Sequence, residues 1–328
     1  MIVSTDVGLA AESLAAGKLV AFATETVYGL GADASNPVSV GRIFSVKGRP
    51  LGHPLIVHVS SAATALDWCA PTEHQAEMFA VLAESFWPGP LTIILPRSDL
   101  AAEQTVGGLD TIGLRVPAHP MALELLDRFG GGVAAPSANK FGKVSPTSAC
   151  HVVDDLGSEI DLVLDGGDCQ VGLESTIISL VNDRPLLLRA GGVTRQHLSR
   201  CLNQPVLSLS DSKSASVRAP GMLRSHYAPN AEVEIVNAEN LDARLEQASQ
   251  QTATKVAVVA PFEVAHSPAW VMPSDSTGYA QRLYGVLREA DNENVHQILV
   301  IPPAEGDLVE AVGDRLGKAA AASSDGET

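Results

Sequence analysis

Short apolar runs recur along the chain, separated by amphipathic stretches and by clusters of glycine, proline and polar residues. Leu19-Val20-Ala21-Phe22-Ala23 reads as a buried strand. So do Pro54 to Val59, Leu91 to Leu95, Thr111 to Pro117, Val133 to Asn139, Leu162 to Leu164, Ser175 to Val181 and Leu186 to Arg189. After the first run the pattern predicts a polar, glycine-rich loop, where Thr24, Glu25, Thr26 and Tyr28 gather and where Gly29 and Gly31 allow unusual backbone angles or close approach to a ligand. Helices are expected between the strands. One covers residues 9–18 and ends near Gly17. In the next, Asn36 caps, Pro37 takes the first position, Val40, Ile43 and Phe44 face inward and Gly48 stops it. Thr72 and Gln75 form a capping box for a helix running to Phe86. His119-Pro120 opens a helix that ends at Gly130. Ser145, as N-cap, opens one over Ala149 to Leu156, and Thr194 to Leu202 makes another.

Strands and helices interleave without strict alternation, so the expected class is α/β with a mixed, twisted sheet over residues 1–202. Residues 203–231 are rich in Ser, Pro and Ala and read as a linker. The pattern restarts with strands at Glu232 to Val236, Lys255 to Ala260 and His296 to Ile301, and helices at Gly278 to Ala290 and Leu308 to Ala322. That succession predicts a smaller, Rossmann-like α/β domain with a parallel sheet over residues 232–328.

A length of 328 residues fits two domains, each with its own core. No uncharged apolar run nears the ~20 residues that a membrane span requires. Asp6, Glu12 and Lys18 interrupt any apolar leader. The four scattered cysteines form no metal-type pair and read as reduced thiols of a cytoplasmic protein. The net charge of −16 divides unevenly. Residues 1–228 carry 16 basic against 22 acidic side chains, and residues 229–328 carry 6 against 16. This argues against a non-specific polyanion binder and leaves room for a local basic cleft in the first part.

There is no phosphate-binding G-x-x-x-x-G-K-[ST] loop, no nucleophile elbow and no zinc-helix histidine pair. Gly29 to Ala34 matches G-x-G-x-x-A, yet no acidic residue follows between Asn36 and Leu66, as a dinucleotide site would want. What remains is a set of polar residues at strand and helix ends: Lys47 with Arg49, Arg115 with His119, Ser137 with Asn139, Glu174-Ser175-Thr176, and Arg189. Four cations and several hydroxyls suit a polyphosphate plus a small polar substrate. Each also has a plainer reading, such as a helix-dipole partner for Lys47 or structural ion pairs for Arg115 and Arg189.

Eight motifs occur in one order: T-E-T-V-Y-G-L-G-A, K-G-R-P-L-G-H-P-L, P-G-P-L-T, G-L-R-V-P-A-H-P, A-P-S-A-N-K-F-G, S-P-T, E-S-T-I and L-R-A-G. The chain thereby resembles the threonylcarbamoyl-AMP synthase family, whose catalytic domain is called YrdC-like, densely over residues 8–200. Ala219-Pro220-Gly221-Met222 and His226-Tyr227-Ala228-Pro229 look like that family's linker signature. Tyr284 to Arg288 and Asp314-Arg315-Leu316 fit its two-domain members. The resemblance implies that L-threonine, bicarbonate and ATP, with Mg2+, give threonylcarbamoyl-AMP and pyrophosphate. A downstream tRNA threonylcarbamoyl transferase complex would use the product, and double-stranded RNA binding comes with the family. By motif position, Thr26, His58, Arg115, Ala135 and Ser175 would contact threonine. Lys47, Arg49, His53, Thr111, Ser137, Asn139, Ser145, Arg189 and Tyr227 would form the ATP side, with Lys47 and Arg49 the catalytic pair. The linker would act as a lid. No metal ligands are assigned. Two other readings stay open: an RNA-binding module using the same basic cleft, and a carbamoyl-adenylate enzyme fed by carbamoyl phosphate.

Overall fold

The computed structural model describes residues 1–182, 184–209, 211, 219–221, 226–250 and 255–324. Much of the expected linker, Met222 included, lies outside the described residues. The chain divides into two compact units. One comprises Met1–Phe141, Pro146–Gln170 and Glu174–Met222, the other Gly142–Ser145, Val171–Leu173 and Leu223–Thr328.

In chain order the first unit runs β1 (Ile2–Ser4), α1 (Val7–Ala15), β2 (Val20–Phe22), β3 (Gly29–Asp33), α2 (Pro37–Lys47), β4 (Ile56–His58), α3 (Ala62–Asp67), α4 (Glu73–Phe86), β5 (Leu91–Pro96), α5 (Glu103–Val106), β6 (Thr111–Arg115), α6 (Pro120–Phe129), β7 (Val133–Ala134), α7 (Ala149–Leu156), β8 (Leu162–Leu164), β9 (Thr176–Ser179), β10 (Leu186–Arg189) and α8 (Arg195–Cys201). Among the described residues its strands form one ten-stranded sheet in the order β1-β8-β2-β3-β7-β4-β6-β5-β9-β10. Parallel pairs (β4 with β6, β5 with β9) mix with antiparallel ones (β2 with β3, β5 with β6), as the irregular succession of elements predicts.

The local signals read from sequence act as expected in several places. Asn36 accepts from Val38 N and Ser39 N with Pro37 at the first turn, and Gly48 closes α2 at φ 63°. Thr72 and Gln75 form the reciprocal capping box of α4. Two expectations are corrected. Gly29 and Gly31 lie in strand β3, not in a loop. A Cβ on Gly31 would fall 2.8 Å from Val133 Cγ1 and 2.9 Å from Phe22 Cε1, so the glycine admits neighbouring side chains. The N-cap of α7 is Ser148, which accepts from His151 N, and not Ser145.

Strand alternation gives the sheet two unlike faces. Val57, Leu91, Ile93, Leu95, Ile112, Leu114 and Ile178 point into the main core with α2, α4, α7 and α8. On the opposite face, α1 and α6 cover Val20, Phe22, Val133, Leu162 and Leu164. That cover stops near Phe22, whose ring meets the His58 ring edge-on at 6.0 Å. Beyond it, on β4, β6, β5, β9 and β10, the same face carries Ile56, Ile94, Ile177, Leu186 and Leu188, with Ala219 of the linker packed on them.

The second unit contains β11 (Glu232–Ile235), α9 (Leu241–Ser249), β12 (Val256–Ala260), β13 (Ala269–Val271), α10 (Ser276–Asn292), β14 (Gln297–Val300) and α11 (Val309–Ser324). Its four strands pair in parallel in the order β11-β14-β12-β13. Val258, Ala260 and Leu299 pack with Leu241 and Ala248 of α9 in its core. No helix among the described residues is long and apolar enough to cross a membrane.

Candidate functional site

The sheet face that α1 and α6 leave uncovered collects polar residues from distant parts of the chain. His58 and Arg115 end β4 and β6 and are register partners across that parallel pair. Thr111, Gly113 and Arg115 share one face of β6 by period two, and Ile112 and Leu114 the other. Gly113 leaves the floor low, for a Cβ there would lie 3.3 Å from Thr92 Cγ2. Thr92, Thr111, Gly113 and Ile177 line a small pocket roofed by Pro220.

Arg115 is 3% exposed and held on several sides. Its Nε donates to Gly89 O at 3.2 Å and its Nη1 to Thr26 Oγ1 at 2.9 Å. Its Nη2 lies 2.7 Å from Glu25 Oε1. Thr26 is positioned by the turn between β2 and β3. There Thr24 Oγ1 accepts from the backbone N–H groups of Thr26 and Val27 at 3.2 Å and donates to Val27 O at 2.6 Å. Burial and the adjacent Arg115 charge hold His58 down to about 3, so its imidazole is neutral.

Ser175 precedes β9 and links two strands. Its Oγ is 2.7 Å from Thr92 Oγ1 and accepts from Arg189 Nη2 at 3.1 Å. Arg189, at the end of β10, also donates to Ser175 O and, at 3.3 Å, to Pro220 O. The expected amino-acid residues Thr26, His58, Arg115 and Ser175 are thus buried polar groups on or beside one sheet face. Ala135 lies next to β7, its N–H engaged with Ile56 O at 2.9 Å.

A second cluster surrounds the end of α2. Lys47, 3% exposed, donates from Nζ to Ser137 O at 2.6 Å and Asn139 O at 2.5 Å. Ser137 Oγ donates to Asn139 Oδ1 at 2.5 Å. Burial, then the charge of Arg49, holds the Lys47 ammonium well below the ordinary lysine range. Arg49 donates to Pro54 O at 3.2 Å and lies over the Phe141 ring at 5.6 Å, and His53 meets that ring at 5.7 Å. Phe141 therefore braces both, a part that the sequence reading missed; its place two residues after Asn139 in A-N-K-F-G was the available signal. Glu25 and Thr92 were seen only as part of the first polar loop and of the motif P-G-P-L-T, with no role given to either. The polar member of the otherwise apolar run Leu91 to Leu95 would have marked Thr92.

Ser145 and Tyr227 belong to the second unit. Tyr227, 2% exposed with φ 62°, stacks on Tyr284 at 5.9 Å, meets His226 at 4.1 Å and lies under the Arg315 guanidinium at 5.0 Å. Arg288 donates to Val144 O, and Ala228 N to Gly142 O at 3.0 Å. The tail motifs around Tyr284 to Arg288 and Asp314-Arg315 thus supply the surroundings of Tyr227 and of the Gly142–Ser145 segment within that unit. Among the described residues, no group of three or more His, Cys, Asp or Glu is placed to hold a metal ion.

Comparison with known proteins identifies the family of the chain. Residues 12–191 match the Sua5/YciO/YrdC family model, described as telomere recombination. Residues 193–321 match the model of the threonylcarbamoyl-AMP synthase C-terminal domain. The threonylcarbamoyl-AMP synthase of Pyrococcus abyssi is 38% identical over 318 residues, covering 95% of this chain and 93% of that one. The Bacillus subtilis protein of the same name is 38% identical over 324 residues, covering 95% and 92%. A crystal structure of P. abyssi Sua5 complexed with L-threonine superposes with a TM-score of 0.89 at 36% identity, covering 98% of this chain and 97% of that one. By both halves and over nearly its whole length, the chain belongs to the threonylcarbamoyl-AMP synthase family.

Proposed function

We propose that this protein is an L-threonylcarbamoyladenylate synthase. L-Threonine and bicarbonate form N-carboxy-threonine, whose carboxylate oxygen attacks the α-phosphorus of ATP and expels pyrophosphate. The observation that carries this reading is the buried Arg115, fixed by Thr26 and Gly89 beside a neutral His58 on the sheet face that α1 and α6 leave uncovered. A fixed guanidinium suits the carboxylate of an amino acid. Ser175 and Thr92 offer small hydroxyls for a polar side chain, and a neutral imidazole adds no second cation. Ala135 lies near that half of the site.

Lys47, Arg49, His53, Thr111, Ser137, Asn139 and Arg189 are assigned to ATP, with Lys47 and Arg49 stabilising charge at the transferring phosphorus. Ser145 and Tyr227 join them on the strength of their motifs. Catalysis is positioning and charge stabilisation, so the chemistry calls for no protein nucleophile. Magnesium would arrive on the ATP phosphates, as it commonly does, rather than in a protein cage.

The proposed organisation is a catalytic domain over residues 1–202, a linker lid over 203–231 that keeps water from the labile carbamate, and an accessory domain over 232–328. The product would pass, in the cytoplasm, to a transferase complex acting on tRNA.

The test is pyrophosphate release from ATP in magnesium and bicarbonate, with and without L-threonine. Release that needs both threonine and bicarbonate, and that falls at least about a hundredfold in Arg115→Ala from the lost charge-assisted contacts, is expected. Release indifferent to threonine would overturn the reading.

A further inference from the structure

Arg115 has five N–H donors. Nε and Nη1 have aligned acceptors, in Gly89 O and Thr26 Oγ1. Nη2 does not. It faces Glu25 Oε1 at 2.7 Å but off the hydrogen-bonding line, and neither atom is in contact with solvent or has an aligned partner among the described residues. The other oxygen of Glu25, Oε2, accepts from Ala118 N at 3.0 Å, three residues past the end of β6. Glu25 therefore touches the guanidinium at one end and anchors in the turn after that strand at the other.

Two physical consequences follow. A guanidinium this deeply buried needs an internal counter-charge, and Glu25 is the only carboxylate within ion-pair distance of it among the described residues. A carboxylate tied to Ala118 also cannot follow the guanidinium if it turns, so it holds the Nη2 end in place. With Gly89 O and Thr26 Oγ1 this gives three fixed points, enough to define the plane of a flat group.

We propose that Glu25 is the positioning residue of the amino-acid site: it fixes the plane and tempers the charge of Arg115, so that Arg115 binds one carboxylate in one orientation. This rests on the reading above that Arg115 receives the substrate carboxylate. Glu25 itself meets no substrate.

The experiment is a double-mutant cycle with Glu25→Gln and Arg115→Lys in the full chain, reading KM for L-threonine, KM for ATP and kcat for pyrophosphate release. Glu25→Gln keeps the shape and the acceptor for Ala118 N. It should raise KM for threonine about tenfold, the scale of one charge-assisted contact, and change KM for ATP less than about twofold. The double variant should be no worse than Arg115→Lys alone, because Glu25 acts through Arg115. Glu25→Asp, which keeps the charge but withdraws it by one methylene, should also raise KM for threonine and serves if Glu25→Gln does not fold. A merely structural ion pair would lower the melting temperature while leaving both KM values unchanged, and that result would overturn the proposal. So would additive effects in the cycle. If wild-type release needs no threonine, the parent reading fails instead. If Arg115→Lys impairs threonine use and Glu25→Gln does not, only the role of Glu25 fails.

Discussion

Ser175 Oγ accepts a hydrogen bond from Arg189 Nη2 at 3.1 Å while lying 2.7 Å from Thr92 Oγ1, so one hydroxyl joins β5, the start of β9 and the end of β10. On the proposed assignment Ser175 belongs to threonine and Arg189 to ATP. The two substrates would then be read by groups that touch each other. Ser175→Ala leaves a buried guanidinium donor without this acceptor, a loss of about 1–3 kcal/mol. Both KM values should rise, that for ATP included, and steady-state pyrophosphate release checks it. A change confined to threonine would show that the bond carries no such coupling.

The imidazole of His58 offers a pH test. Burial, then Arg115, lowers its pKa from 6.5 to about 3. Between those values the unfolded chain binds a proton that the folded chain refuses. Stability is therefore fully present above pH 6.5 and falls as pH drops towards 3, by at most about 1.4 kcal/mol per pH unit from this one group. Urea unfolding across that range should give a steeper acid loss for the wild type than for His58→Gln. Parallel curves would refute it.

Gly191 follows β10 where the backbone of the Glu174–Thr176 segment runs close by. A Cβ there would lie 2.4 Å from Glu174 O and from Thr176 N. Gly191→Ala must push that backbone aside, and Ser175 moves with it. The expected cost is about 1–3 kcal/mol of stability, seen as a lower melting temperature, together with a higher KM for threonine. An unchanged KM in a destabilised variant would separate the glycine from the site.

How far the sequence reveals this arrangement depends on the range of the interaction. The caps at Asn36, Gly48, Thr72 and Gln75 are local and could be read directly, as could most of the strands. Strand β3 was not legible, because its glycines resemble a loop until Phe22 and Val133 are seen in the space their side chains would need. Ser145 looked like an N-cap because Pro146 follows it, yet Ser148 has the extended backbone and the bond to His151 N. The site residues stood out as polar groups at strand ends. Their partners did not, since Glu25 meets Arg115, and Phe141 meets Arg49, only after the chain has folded back over many residues.

The alternation along β6 has a consequence for how the strand can change over time. Its odd-numbered positions, Thr111, Gly113 and Arg115, lie on the face proposed to bind ligand, and its even-numbered ones, Ile112 and Leu114, fill the main core. A single inserted or deleted residue would exchange the two sets, driving Arg115 among leucines and turning Leu114 towards the proposed substrate site. Substitutions can adjust either face independently, but the length of this strand is under the joint constraint of folding and chemistry.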